Sequence, residues 1–188
     1  MRAALGVGDE VLVLHSSNLR AVKRIDVLLA AAARIQPRES FKLLILAGSS
    51  FAPFHEEVRR LGLEDRIIVR EKVNDMEQYL PAADLGLVTS DSESFCLSIL
   101  EAMFFGHPSV ATRVGGIPEV VTDGETGVLA APGDAAALAK AASRLIQDPA
   151  YRRRLGASAR HHAYQHFSAD AIVPQYEALY RRVCGLSG

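Results

Sequence analysis

Short apolar runs alternate with segments whose apolar residues recur at helical spacing along most of the chain. Six of these runs are continuous enough to predict buried strands. The predicted strands cover residues 11–15, 42–47, 66–69, 84–88, 108–112 and 127–129. Because helices separate the strands, the pattern predicts an α/β fold with a doubly wound, mostly parallel, Rossmann-like sheet.

The helical segments have recognisable ends. Pro37 is expected to end the first helix, and Asn74 is expected to cap a short helix that finishes near Leu80. After the fourth strand the pattern predicts a helix over 94–105, with either Ser92 or Ser94 as its N-cap. From residue 134 onward it predicts helices to about 147, over 149–166 and over 168–182. Residues 1–166 therefore form one predicted domain, and 167–188 form a separate carboxy-terminal helical segment.

The junction between the fourth strand and its helix carries the most suggestive chemistry. The first backbone N–H groups of a helix have no partner within it, so they attract anions such as phosphate. Glu93 precedes this helix and Glu101 lies two turns inside it, and carboxylates accept hydrogen bonds from hydroxyl groups. An anion site between two hydroxyl acceptors fits a nucleotide sugar. The alternative is an ordinary surface helix, in which glutamates near the first turn complement the dipole.

The order of the elements favours the binding-site interpretation. In a parallel sheet, ligands bind beyond the carboxyl ends of the strands, near the point where the strand order reverses. The loops expected at that rim carry Arg20 and Lys23, the pair Lys72 and Val73, the segment 93–97, and the glycines at 115 and 116. Cations at the start of a helix oppose its dipole, so Arg20 and Lys23 suggest a bound anion.

Composition excludes several other functions. The 188-residue chain is 49% hydrophobic and 23% charged with a net charge of −1, so no nucleic-acid-binding face is expected. No apolar run approaches the roughly 20 residues that span a bilayer. Two cysteines favour a reducing, cytoplasmic setting. His162 and His166 have the i, i+4 spacing of zinc ligands but no third ligand, so no metal site is expected. Neither a G-x-G-x-x-G motif nor a phosphate-binding lysine loop is present.

Several motifs in their usual order resemble glycosyltransferase family 4. Glu93-Ser94-Phe95 followed by Glu101-Ala102-Met103 is the central one. The other segments that carry the resemblance are 22–26, 83–85, 106–108, 115–119 and 123–129. The resemblance covers most of the chain and implies the carboxy-terminal, donor-binding half of a two-domain GT-B enzyme. The amino-terminal, acceptor-binding domain would then lie outside this chain, and the carboxy-terminal helix would pack toward it.

The resemblance implies a role for each motif residue. Glu93 would hold hydroxyls of the donor sugar and Glu101 those of the ribose, while Arg20 and Lys23 would stabilise the leaving diphosphate without a metal or other cofactor. Main-chain groups would contact the diphosphate and the base, which is typically uracil. The residues with catalytic roles would be Glu93, Arg20 and Lys23. The donor-binding residues would be Asn18, Lys72, Val73, Ser94, Phe95, Cys96, Leu97 and Glu101.

Three residues depart from the family pattern. Asn18 stands where many members have arginine, so Arg20 is expected to substitute for that charge. Cys96 replaces a usual glycine in the phosphate loop, and Glu71 replaces a common glycine in the base loop.

The resemblance implies a retaining transfer from a nucleotide sugar, with UDP-N-acetylglucosamine as the expected donor. The segment from Ser17 to Arg24 is most similar to the family branch that glycosylates L-malate, which makes L-malate the expected acceptor. The resemblance is compatible with a homo-oligomer of the full-length protein. Two alternatives remain at this stage: a nucleotide-sugar-binding or regulatory α/β module without transferase activity, and a GT-B epimerase or phosphorylase relative. A receiver-like domain would need acidic strand ends that this chain lacks.

Overall fold

Six parallel strands form one sheet in the computed structural model, which describes residues 1–37, 40–73 and 75–185. The spatial order of the strands is β3-β2-β1-β4-β5-β6, and every neighbouring pair is parallel. The strands are β1 (Val11–Ser17), β2 (Phe41–Ala47), β3 (Ile67–Glu71), β4 (Leu85–Val88), β5 (Ser109–Thr112) and β6 (Gly127–Ala130). The predicted doubly wound Rossmann-like sheet is confirmed.

Helices follow the strands and cover both faces of the sheet. They are α1 (Ile25–Ala32), α2 (His55–Arg60), α3 (Leu97–Phe104), α4 (Ile117–Val120), α5 (Ala135–Gln147), α6 (Pro149–Phe167) and α7 (Ala169–Val183). None of the helices in the described part of the chain is long and apolar enough to cross a membrane. Two predicted features, the cap at Asn74 and the last residues at 186–188, lie outside the described residues.

Burial on both faces explains why the strands are continuously apolar. Leu43 and Ile45 of β2 pack into the cluster under α1 and α5, while Leu44 and Leu46 pack into the cluster on the opposite face. A strand with both faces buried cannot alternate apolar and polar residues, so it reads as an unbroken apolar run.

The strand order reverses between β1 and β4. From β1 the chain builds outward through β2 and β3, and it then returns to place β4 on the other side of β1. The pairing between these two strands is short, with Val13 opposite Leu85 and Leu14 opposite Gly86. The loops that follow them leave in opposite directions, which opens a crevice at the carboxyl edge of the sheet.

The start of α3 differs from the prediction. The helix begins at Leu97 rather than Ser94, and neither Ser92 nor Ser94 caps it. Its N-cap is Cys96, which has a left-handed backbone with φ 68° and no capping side-chain hydrogen bond. The helix is therefore shorter than predicted, and Ser94 and Phe95 belong to the loop after β4.

Candidate functional site

A cavity of about 530 Å³ lies at the carboxyl edge of the sheet, where β1 and β4 separate. Its walls come from the end of β1, the loop after β1, the short helical turn after β3, and the loop and helix after β4. The lining residues are Ser16, Lys23, Met76, Glu93, Ser94, Phe95, Cys96, Leu97, Ser98 and Glu101. A volume of this size is in the usual range for small-molecule sites.

Seven of the eleven predicted site residues line this cavity: Lys23, Glu93, Ser94, Phe95, Cys96, Leu97 and Glu101. The other four, Asn18, Arg20, Lys72 and Val73, lie on neighbouring loops but do not form its walls. The predicted rim therefore exists, and its centre is the loop after β4.

Lys23 and Glu93 form an ion pair at the mouth of the crevice. The Nζ of Lys23 lies 2.5 Å from Oε1 of Glu93, and the two side chains are only 17% and 10% exposed. The hydroxyl of Ser90 donates to the same oxygen over 2.7 Å. Oε2 of Glu93 accepts no hydrogen bond from any described residue, so it remains available to a hydroxyl group in the cavity.

The beginning of α3 presents unpaired backbone donors to the same cavity. The N–H groups of Phe95, Cys96 and Leu97 donate no hydrogen bond to the described part of the chain. These residues line the cavity, and the eight-residue helix that follows adds the positive end of its dipole. This arrangement can bind an anion such as a diphosphate.

Two glycines hold the loop after β4 in place. Gly116 donates from its backbone N–H to the carbonyl oxygen of Glu93 over 3.0 Å. A Cβ atom at Gly115 would collide with that carbonyl, and one at Gly116 would collide with the carbonyl of Ser94. Only glycine lets the loop after β5 approach the loop of Glu93 so closely. The glycine pair therefore holds the loop of Glu93 in position and does not line the cavity.

Glu101 lies on α3 with its side chain half-buried on the cavity wall. Burial raises the pKa of this carboxyl, and the nearby charge of Glu77 adds to the effect. The folded protein therefore holds the Glu101 carboxylate at a cost in stability. Such a cost is common where a charged group serves binding rather than packing.

His15 connects β1 to β4 beneath the site. Its Nδ1 donates to the carbonyl of Leu87 over 2.9 Å, so its Nε2 accepts from the hydroxyl of Ser17 over 3.0 Å. The ring is 1% exposed, and burial lowers the pKa of His15 to about 4. Ser17 also accepts from the backbone N–H of Leu19 over 3.3 Å, which links the histidine to the loop after β1.

The loop after β3 is organised by contacts with the loop after β2. Glu71 accepts from the backbone N–H of Phe51 over 2.6 Å and from the hydroxyl of Ser50 over 3.4 Å. Lys72 has φ 55° and donates from its N–H to the carbonyl of Ala47 over 2.7 Å. Glu71 therefore has a structural partner on the neighbouring loop.

Strained backbone is concentrated around the cavity. Within the described residues, four residues other than glycine have positive φ: Leu19, Arg24, Lys72 and Cys96. All four lie on loops that follow β1, β3 or β4. Residues that carry a side chain rarely adopt a positive φ. The conformation persists where surrounding contacts enforce it, often at functional sites. The left-handed backbone of Cys96 is a conformation that glycine adopts without steric cost.

Three cavity residues were not anticipated from the sequence. Ser16 and Met76 contact each other through a hydrogen bond of 3.1 Å from the hydroxyl to Sδ, and Ser98 lies in the first turn of α3. Ser16 follows an apolar run, which is a weak signal for a strand end at the rim. Met76 and Ser98 have no signal in the sequence, because tertiary packing alone brings them to the cavity.

A wider cleft of about 940 Å³ lies between α5, α6 and the segment that follows α1. It is lined by Arg34, Lys140, Arg144 and Arg153, while Asp148 on its wall uses Oδ1 to cap α6. Four cationic side chains and a single carboxylate from the described residues line this cleft, whereas the predicted site requires two carboxylates beside the start of a helix. No three His, Cys, Asp or Glu side chains are grouped to hold a metal ion in the described residues.

Known proteins share this sequence pattern. A family model described as "Glycosyl transferases group 1" matches residues 1–162. The N-acetyl-alpha-D-glucosaminyl L-malate synthase of Bacillus anthracis is 40% identical over 182 residues, which cover 96% of this chain and 48% of the relative. The D-inositol 3-phosphate glycosyltransferase of Thermobifida fusca is 33% identical over 186 residues, covering 92% of this chain and 43% of the relative.

Solved structures share the fold. HepE from Anabaena, crystallised with UDP and glucose, superimposes with a TM-score of 0.88 at 30% identity, covering 96% of this chain and 51% of that protein. Sucrose-phosphate synthase from Thermosynechococcus elongatus gives a TM-score of 0.89 at 34% identity, with coverages of 99% and 49%. The chain therefore spans about half the length of the relatives it matches.

Proposed function

The chain belongs to the group 1 glycosyltransferase family, and we propose that it is the donor-binding half of an enzyme that transfers a sugar from a nucleotide sugar. One observation carries the proposal: a single cavity combines the free N–H groups before α3 with the carboxylates of Glu93 and Glu101. The complex of HepE with UDP and glucose supports this choice of ligand.

The diphosphate is proposed to bind at the start of α3. The N–H groups of residues 95–97 would each donate to a phosphate oxygen, and the helix dipole would add to the attraction. Lys23, which also lines the cavity, would supply a positive charge. Arg20 is exposed and has no ion pair within the described residues, so it would approach the phosphates from the loop after β1.

The two glutamates are proposed to hold the two sugars. Glu93 has one free carboxylate oxygen, which would accept from hydroxyls of the donor sugar. Glu101 would accept from the ribose hydroxyls, and the main chain at Lys72 and Val73 would contact the base. Asn18 would contribute from the adjacent loop, where its carbonyl already accepts from Ser49 over 2.9 Å.

In the transfer step, the bond between the sugar and the diphosphate breaks while an acceptor hydroxyl forms a bond to the same sugar carbon, and negative charge grows on the leaving phosphate. Lys23, Arg20 and the free N–H groups would stabilise that charge. The proposal calls for no metal or other cofactor, and it assigns a retaining outcome to the reaction. Acceptor binding is assigned to a second domain outside these residues.

The proposed donor is UDP-N-acetylglucosamine and the proposed acceptor is L-malate. The name of the relative from Bacillus anthracis, at 40% identity, supports the N-acetylglucosaminyl group and the malate acceptor, and the complex of HepE with UDP and glucose supports the nucleotide. Cytoplasmic location is also part of the proposal. Cys96 and Cys184 are both free thiols, as expected in a reducing compartment.

The chain is proposed to divide into a donor-binding domain at 1–166 and a docking segment at 167–188, whose described helix is α7. Helix α7 has no buried side chain, and Val173, Tyr176, Tyr180 and Val183 are exposed on one face of it. An apolar face of this kind indicates a partner surface. We assign it to the acceptor-binding domain.

Calorimetric titration of this chain with UDP, UDP-N-acetylglucosamine and GDP tests the proposal. We expect saturable binding of the two uridine nucleotides and weaker binding after Glu101→Ala. Glu64→Ala is the matched control, because Glu64 is exposed and lies outside the cavity. Absence of saturable binding to every nucleotide, or equal affinity in the Glu101 and Glu64 variants, would refute the donor site.

A further inference from the structure

The loops that follow β1 and β4 are joined directly at the point where the strand order reverses. The backbone N–H of Asp91 donates to the carbonyl of Val22 over 2.9 Å. The fully buried hydroxyl of Thr89 lies 3.0 Å from the carbonyl of Lys23 and 3.1 Å from that of Arg24. We call these contacts, with the ion pairs described next, the loop clasp. It joins segments that are more than 60 residues apart in the chain.

Arg24 is the side chain that closes the loop clasp. Its Nη1 donates to both oxygens of Asp91, over 3.1 and 2.8 Å. Its Nε and Nη2 donate to Asp26, in the first turn of α1, over 2.9 and 2.8 Å. The planar guanidinium thus connects the loop after β4 to the start of α1, a geometry that lysine cannot reproduce.

The backbone of Arg24 is strained. Its φ is 50°, in the left-handed region that favours glycine. A residue with a side chain stays in this conformation when the surrounding structure enforces it. The two carboxylates and the hydroxyl of Thr89 supply that enforcement, since they hold both the side chain and the carbonyl of Arg24.

Stability alone does not account for this arrangement. Arg24 is 33% exposed and Asp91 is 43% exposed. Ion pairs at such positions contribute little to the free energy of folding. Their effect on geometry is larger, because Lys23 precedes Arg24 and Glu93 lies two residues after Asp91. A contact that holds Arg24 against Asp91 therefore also restrains Lys23 and Glu93, since the backbone links the neighbouring residues.

We propose that Arg24 is a positioning residue, which sets the Lys23–Glu93 pair by locking the loop after β1 onto the loop after β4. The expected role in ligand binding rests on the proposed donor site. The geometric role does not, because the position of Lys23 can be measured without any ligand.

Chemical labelling of Lys23 provides the ligand-free measurement. Lys23 is mostly buried against Glu93, so we expect slow reductive methylation in the wild-type protein, followed by peptide mass spectrometry. Arg24→Ala removes the guanidinium and should increase the labelling rate of Lys23. Arg24→Lys should give an intermediate labelling rate, because lysine keeps the charge but lacks the planar guanidinium that bonds to both carboxylates. The exposed lysines Lys72 and Lys140 are internal standards that should not change.

UDP titration gives the second measurement. Arg24→Ala should weaken UDP binding by about 2- to 30-fold, the range of indirect effects transmitted through a packed network, with little change in melting temperature. Asp91→Asn is a second variant that removes the charge and one of the two acceptor oxygens from the same contact, without altering the strained backbone of Arg24. Arg60→Ala is the matched control, since Arg60 forms a comparable bidentate pair with Glu57 on the surface of α2. It should affect neither readout.

Unchanged Lys23 labelling in both the Arg24→Ala and Asp91→Asn variants would overturn the proposal. Changed labelling with unchanged UDP affinity would overturn its link to binding. If the wild-type protein does not bind UDP, the proposed donor function fails, and the labelling result still decides whether Arg24 positions Lys23.

Discussion

Replacement of Lys23 by methionine is the sharpest test of the site geometry. The change keeps most of the length of the side chain but removes the charge that faces Glu93 across 2.5 Å. Glu93 would then remain as a carboxylate that is 10% exposed, and Ser90 would be its one remaining donor among the described residues. A carboxylate in this position cannot regain full hydration, so the folded protein should become less stable.

The magnitude follows from the burial of the pair. Breaking a fully buried ion pair costs about 3–5 kcal/mol, whereas an exposed one is worth about 0–1 kcal/mol. Exposures of 17% and 10% place this pair nearer the buried limit, although the hydroxyl of Ser90 remains to solvate the carboxylate. We expect Lys23→Met to lower the free energy of unfolding by about 2–3 kcal/mol. That corresponds to a fall in melting temperature of roughly 4–12 °C for a chain of this length.

Urea denaturation of a double-mutant cycle measures the effect. Lys23→Met, Glu93→Gln and the double variant are compared with the wild type. Because the amide introduced by Glu93→Gln carries no charge, the double variant should recover at least about 1 kcal/mol relative to the sum of the single changes. The control is Lys140→Met, an exposed lysine that should shift stability by less than about 0.5 kcal/mol. Additive single effects, or a Lys23 variant as stable as the control, would refute the reasoning.

Three further changes test other parts of the site. Glu101→Gln should weaken UDP binding by about 10- to 100-fold through loss of charged hydrogen bonds, and unchanged affinity for UDP would contradict this. The melting temperature should not fall, because burial raises the pKa of Glu101 and so disfavours the charged carboxylate that the amide replaces. Gly116→Ala should destabilise the fold by about 1–3 kcal/mol, because the added Cβ would meet the carbonyl of Ser94. Gly8→Ala is the control: its Cβ would meet only a flexible side chain, so its melting temperature should be close to that of the wild type. His15 has a pKa lowered from 6.5 to about 4, so only the unfolded chain binds its proton between those values. Unfolding free energy should therefore fall by up to about 3 kcal/mol as the pH drops from 7 to 4, and denaturation of His15→Gln should lack this component.

The sequence predicted the fold in detail. All six strands lie where continuous apolar runs indicated them, with ends that differ by one or two residues. This succeeds because burial on both faces of a parallel sheet requires apolar residues at every position. The alternation of strands and helices then leaves few topologies, and it places the loops after β1 and β4 at one edge.

The start of α3 shows where local patterns fail. Serine is a good N-cap, so Ser92 and Ser94 were reasonable expectations. The helix instead begins at Leu97, after the left-handed turn at Cys96. The loop before it packs against Gly115 and Gly116, which lie about 20 residues later. The capping preference of serine is local, so it cannot predict a contact with residues so far along the chain.

The sequence alone therefore determined the sheet, its carboxyl edge and the two glutamates on the loop and helix after β4, because these depend on periodicity and chain order. Only the tertiary structure decided that Lys23 pairs with Glu93, that Arg24 joins the two loops, and that Glu71 turns toward the loop after β2. Each of these contacts joins residues 20 or more positions apart. Which residues meet in these contacts depends on how the whole sheet packs, so no short stretch of sequence predicts them.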